Sequence, residues 1–282
     1  MSVKQLSIHV EEVDENLFDD EIKLCLPPNL GSENAAFKKG IEEKRRWLKK
    51  RLNEFGSVAL VAYHEQQPMG FIEYVSARNA PVPIDEDERV AMITCINKPK
   101  FPRKGVGTAL VHAALRKLKQ MRIEQVKTLV SRSPYWINHG IYSKNGFQLE
   151  RTFYKPGATE PLDLLTLNLK STHKPMTEPS TIRFPQMTSD SLPISIVYFC
   201  SGQCPFNALV RSRLMNALEK FNPKHVVLEV LDSWENCRLA RECGALYGDL
   251  FVNGKTPFAG PASQENIEKE IRREIERIRA LE

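Results

Sequence analysis

The stretch Val90-Ala-Met-Ile-Thr-Cys-Ile-Asn-Lys-Pro-Lys-Phe-Pro-Arg-Lys-Gly-Val-Gly-Thr-Ala-Leu110 decides the fold of the first half of this chain. Val90–Asn97 is apolar enough for a buried strand, and Pro99 and Pro102 end any ladder. After Gly105 and Gly107, apolar residues recur at helical spacing (Leu110, Val111, Ala114, Leu115, Leu118, Met121), with Arg116, Lys117, Lys119 and Arg122 on the other side. Strand, glycine turn and helix in that order leave free backbone N–H groups at the positive end of a helix dipole. Such a turn binds phosphate oxygens, and Arg103 and Lys104 add charge. A dinucleotide fingerprint needs a third glycine and an acidic residue further on, neither convincing here, and the Gly-Lys-Ser/Thr of a P-loop is absent.

Upstream, residues 8–13 alternate like a strand. Residues 36–54 carry Phe37, Ile41, Trp47, Leu48 and Leu52 at helical spacing and stop at Gly56. Ser57–His64 and Met69–Ser76 are two strands joined at Glu65-Gln-Gln-Pro68. Downstream, Val126–Ser131 is a strand, 135–145 a short helix ending at Gly146, and Phe147–Tyr154 with Leu162–Leu169 a closing strand pair. Residues 171–191, with Pro175, Pro179 and Pro185 among many Ser and Thr, have the composition of a linker. Beyond it come a buried strand at Ile194–Phe199 and a helix with Val210, Leu214, Ala217, Leu218 and Phe221 inward. A strand at Val226–Leu231 precedes a helix from Ser233, its expected cap, to about Cys243. Leu250–Val252 turns at Asn253-Gly254 into a further strand, and Ile267, Ile271, Ile275 and Ile278 mark a last helix, giving βαβαββα.

The stretch Ile93–Leu110 resembles the acetyl-CoA motif of the GNAT superfamily of N-acetyltransferases. Gly105 and Gly107 take the two small positions of its pyrophosphate loop; Pro102 stands where the family prefers Gln or Arg. Ile141-Tyr142-Ser-Lys-Asn-Gly-Phe147 resembles the second signature, whose tyrosine protonates the departing thiolate. Tyr135 stands where many members have Asn. Over residues 5–170 the order of elements matches as well. The resemblance implies a GNAT acyl-CoA N-acyltransferase fold, α/β in class (α+β), with acetyl-CoA as cosubstrate and no metal. Its contacts fall on Cys95, Ile96, Asn97, Arg103, Lys104, Gly105, Val106, Gly107, Thr108 and Asn138. Tyr142 is the expected catalytic acid. Glu73, which alternation places on the face of Phe71 and Val75, is the candidate base, ahead of His64 and His139. Cys95 also offers a covalent route, disfavoured by its burial.

Ile196-Val-Tyr-Phe-Cys200-Ser-Gly-Gln-Cys204-Pro-Phe-Asn207, with Phe251-Val-Asn-Gly-Lys255, resembles glutaredoxin-like members of the thioredoxin superfamily. Cys204 takes the nucleophile position, Asn207 replaces the resolving cysteine, and Gly248-Asp249 stands where the superfamily has its cis-proline. A thiolate at a helix start is stabilised by the dipole. A redox-active Cys200/Cys204 pair, a zinc site from Cys200, Cys204, Cys237 and Cys243, and an inert accessory module all stay open. The pairing of the two parts is similar to YoaP-like two-domain acetyltransferases, with a GNAT domain at 1–170, a linker at 171–191 and a thioredoxin-like domain at 192–282.

The remaining composition narrows the reading. At 282 residues there is room for two cores, and a net charge of +5 is too weak to imply nucleic acid. No apolar run could cross a bilayer, no signal core follows Met1, and six cysteines make no disulfide framework. The expectation is a cytoplasmic N-acetyltransferase acting on a small-molecule or peptide amine by direct attack, with no nucleic-acid or membrane partner and a homodimer left open. The alternative is a thiol–disulfide redox or sensing protein using Cys200 and Cys204, with a GNAT domain that binds coenzyme A without catalysis.

Overall fold

The structure, a computed structural model, describes residues 7–26, 35–84, 87–97, 105–131, 139–155, 157–158, 160–170, 180–184, 188–245, 248–258 and 261–281. The first part runs β1 (His9–Glu12), a 3-10 turn (Glu15–Leu17), α1 (Phe18–Cys25), α2 (Ala35–Phe55), β2 (Ala59–His64), β3 (Gln67–Ser76), β4 (Val90–Asn97), α3 (Val106–Gln120), β5 (Gln125–Ser131), α4 (His139–Ser143), β6 (Gln148–Tyr154), β7 (Leu162–Asn168) and β8 (Ser180–Arg183). The second runs β9 (Ile194–Cys200), α5 (Phe206–Leu218), β10 (Val226–Asp232), α6 (Cys237–Cys243), β11 (Leu250–Val252) and α7 (Gln264–Arg279).

Eight strands form one sheet in the order β1-β2-β3-β4-β5-β7-β6-β8. The β2–β3 hairpin turns through Glu65 and Gln66, both at positive φ (47° and 64°), so that His64 faces Gln67. Alternation then sorts the side chains. Ile72, Tyr74, Ala91 and Ile93 pack under α3, through Leu110, Val111, Ala114 and Leu118. Phe71, Val75 and Met92 pack on the opposite face with Phe18, Ile22 and Leu48 of α1 and α2. The segment expected as a linker contributes β8, which pairs in parallel with β6 at the sheet edge.

In the second part β9 lies between a parallel β10 and an antiparallel β11. The Asn253-Gly254 turn is as expected, with φ of 48° and 75°, but the strand after it is only a bridge between Val252 and Lys255. Pro257 and Pro261 lack the N–H that a ladder needs. The helix expected from Ser233 begins only at Cys237. Asp232 Oδ1 accepts from the backbone N–H of Trp234 (2.8 Å) and Glu235 (3.2 Å), while Ser233 is buried and its hydroxyl donates to the Cys200 carbonyl (3.1 Å).

The two parts are packed together. Trp234 belongs to the same buried cluster as Trp47 and Phe71 and meets Trp47 edge-on at 5.3 Å. Phe206 meets Phe37 at 5.3 Å, and Arg211 pairs with Glu43 at 2.5 Å. Gly40, inside α2, lets the chain at Pro205 approach its backbone: a Cβ there would stand 2.5 Å from the Pro205 carbonyl oxygen.

Candidate active site

The parallel pairing of β4 with β5 stops early. Val90–Ile93 face Gln125–Thr128, and beyond them the strands part: Cys95, Ile96 and Asn97 stay on β3, while Leu129–Ser131 stay on β7. A register skip between the pairs Tyr74/Ile93 and Glu73/Cys95 leaves Thr94 as the extra residue at the parting point. The result is a wedge with strand edges not paired to one another.

Beyond this wedge Gly105 opens α3 at φ 83°, a left-handed conformation that glycine adopts without strain, and a Cβ there would meet nothing within 4 Å. It brings no side chain to cap the first turn, so the N–H groups of Val106, Gly107 and Thr108 lack intrahelical partners. Of the expected contacts, Arg103, Lys104 and Asn138 lie outside the described residues, as do Pro102 and Tyr135. Cys95 and Ile96 are half-buried at the wedge. The Asn97 side chain is engaged elsewhere, its Nδ2 donating to the Leu24 carbonyl at 2.7 Å.

Tyr142 sits on α4, fully buried, edge-on to Phe147 at 5.2 Å across a turn closed by Gly146 at φ 87°. Its one polar neighbour among the groups acting on it is the Thr128 hydroxyl, at the last β4–β5 pair, and no hydrogen bond of ordinary geometry reaches either hydroxyl among the described residues. Burial holds the phenol far above its usual range, so it keeps its proton at every physiological pH; the Cys95 thiol is among the groups that act on it. Of the other candidate histidines, His64 donates from its ring Nδ1 to the Ser7 carbonyl and His139 bonds the Ser143 hydroxyl through its own Nδ1.

Glu73 lies opposite Cys95 on β3. It does not open to a cleft: it is fully buried, bonded through Oε1 to Lys44 and through Oε2 to Gln203 Nε2 (2.6 Å). Lys44 is also fully buried, 3.0 Å from Glu21 and over the rings of Trp47 and Phe71 at 5.5 and 5.4 Å. Burial works against its charge, but Cys25, Glu21 and Glu73 outweigh it and hold the ammonium up. For Glu21 burial wins, raising the carboxyl well above its ordinary value despite Lys44.

Glu21, Lys44 and Gln203 were not foreseen as site residues. A signal existed for one: Lys44 lies on the buried stripe Phe37, Gly40, Lys44, Trp47, Leu48, Arg51 of α2, where a bare charge needs a partner. Cys204 keeps surface open to solvent, and all six cysteines are free. Burial raises its thiol, offset in part by N–H bonds from Phe206 and Asn207 and by Lys44. Among the described residues no cluster of three His, Cys, Asp or Glu could hold a metal, and no helix is long and apolar enough to cross a membrane.

A search of the curated proteins found no match. Among solved structures, an N-acetyltransferase from Staphylococcus aureus Mu50 is similar at 14% identity and a TM-score of 0.47, covering 58% of this chain and 99% of its own. A putative acetyltransferase from Salmonella typhimurium with acetyl-CoA is similar at 13% and 0.45, covering 61% and 99%. The PaiA N-acetyltransferase of Thermoplasma acidophilum in complex with coenzyme A is similar at 19% and 0.40, covering 56% and 98%. The family described as Acetyltransferase (GNAT) matches residues 27–147, less than half of the chain but a span that holds Glu73, the wedge, Gly105 and Tyr142. That segment, though not the chain as a whole, is similar to the GNAT acetyltransferases.

Proposed function

We propose that the chain is an acetyl-CoA-dependent N-acetyltransferase in which a bound primary amine attacks the thioester directly. The observation that carries this reading is the wedge between β4 and β5, leading to an open glycine turn at Gly105. The N–H groups of Val106, Gly107 and Thr108, with Arg103, Lys104 and Asn138, would hold the donor's diphosphate. The backbone at Cys95 and Ile96 would align the thioester arm, and a strand N–H would stabilise the oxyanion. Tyr142, buried and protonated, gives its proton to the departing thiolate. Glu73, sealed against Lys44 and Gln203, takes the amine's proton once acceptor binding opens a path to it.

The second part serves as an accessory domain. Its strand order β10-β9-β11, parallel then antiparallel, and the Cys204 turn at the start of α5 support the thioredoxin-like reading. The GNAT match falls on the first part of the chain, and the amine class stays as read: a small molecule or a peptide. Calorimetry of the full chain with coenzyme A tests the donor site. Binding is expected, weakened roughly tenfold by Gly105→Ala, whose methyl group would project into the open turn. Absence of binding overturns the reading, and an amine panel with thiol detection then names the acceptor.

A further inference from the structure

We propose that Gln203, from the second part of the chain, is a positioning residue of the acetyl-transfer centre: it holds the Glu73 carboxylate in the pose that takes the acceptor's proton. This rests on the acetyltransferase reading above and extends the centre beyond the segment matched by the GNAT family.

Gln203 is buried, and its amide nitrogen has two acceptors, Glu73 Oε2 at 2.6 Å and Thr94 Oγ1 at 2.7 Å. A carboxylate can only accept, which settles the nitrogen end of the amide. Lys44 meets the other Glu73 oxygen. Lys44 on one oxygen and Gln203 on the other fix the carboxylate plane, with the Glu21 carboxyl bonded beside them. Thr94 is the extra residue where β4 parts from β5. A single amide thus ties the carboxylate to the mouth of the wedge.

The loop that carries Gln203 is itself held. Its backbone N–H donates to Ser201 Oγ at 3.0 Å, and that oxygen accepts from Trp234 Nε1 at 2.8 Å. Gly202 lies against Glu43 and Pro205 against Gly40, close approaches that a side chain on either glycine would block. Docking alone would be served by apolar contact. A buried amide making a charge-assisted bond to a carboxylate fixes orientation as well.

The test uses a difference between acceptors. An alkyl amine keeps its proton to about pH 10 and must lose it before attack. Hydroxylamine is already unprotonated at neutral pH and needs no base. Full-length protein is assayed at pH 7 with saturating ethylamine and with hydroxylamine, by release of coenzyme A. Gln203→Met, which keeps the volume and loses the donor, and Gln203→Ala are compared, with coenzyme A affinity measured on each. Expected is a roughly 10- to 100-fold lower kcat toward ethylamine. The KM for acetyl-CoA and the rate with hydroxylamine stay unchanged, and in a Glu73→Gln background Gln203→Met costs nothing further. Equal slowing with both amines, no slowing, additive losses, or no transfer to ethylamine by the parent protein overturns the inference. Coenzyme A binding that persists in those cases leaves the donor reading standing; its absence from the parent protein removes both.

Discussion

Replacing Gly40 by alanine sets two known effects against each other. On an isolated helix the change stabilises by about 1 kcal/mol, because glycine is the poorer helix former. Here the new Cβ would stand 2.5 Å from the Pro205 carbonyl oxygen, 2.9 Å from its Cα and 3.0 Å from its carbonyl carbon. Carbon contacts are favourable from about 3.5 Å, so the loop must retreat by roughly 1 Å. The obstacle is backbone and cannot swing aside as a side-chain tip would. Overpacking of this kind costs about 1–3 kcal/mol, which leaves a net loss of roughly 1 kcal/mol and a melting point about 2 °C lower. The same retreat would stretch the Gln203 bonds to Glu73 and Thr94, now 2.6 and 2.7 Å, beyond hydrogen-bond range. Thermal melting together with amide exchange across residues 201–205 checks both consequences. A melting point that rises, with protection of that loop unchanged, would refute the packing argument.

Two further substitutions separate chemistry from stability. Tyr142→Phe should lower kcat roughly 100-fold with little change in melting point, because the buried hydroxyl it removes has at best a weak contact with the Thr128 side chain; a clearly less stable variant would show a stronger bond on that oxygen. Glu21→Gln bears on pH. The folded chain holds the Glu21 proton more tightly than the unfolded one, so this carboxyl favours folding below its ordinary 4.5, and the benefit is lost as pH rises toward the raised folded value. The variant should therefore gain on the parent protein above pH 4.5 by about 1.4 kcal/mol per pH unit until that folded value is reached. Denaturant melts between pH 4.5 and 8 that keep a constant gap would count against it.

Local pattern was enough for the elements that make the wedge. β4 spans the expected Val90–Asn97, α3 follows the expected helical spacing, and Tyr142 lies on the short helix before Gly146. Alternation put Glu73 on the correct face, with Phe71 and Val75. What it could not reveal was the neighbour across that face. Glu73 and Gln203 are 130 positions apart, and no periodicity within either segment encodes their meeting. The same limit hid β8, a four-residue edge strand inside a proline- and serine-rich stretch whose pairing depends on β6 alone. The clue that was present is Gly40: a glycine among strong helix formers is unfavourable unless another backbone comes close.

The wedge also bears on the stability of the folded chain. Where β4 and β5 separate, the sheet forgoes the cross-links that elsewhere bind strand to strand. A molecule lodged there acts as a missing rung, and every such complex withdraws protein from the unfolding equilibrium. A ligand bound along those open edges would stabilise the fold more the higher its free concentration stands above its dissociation constant.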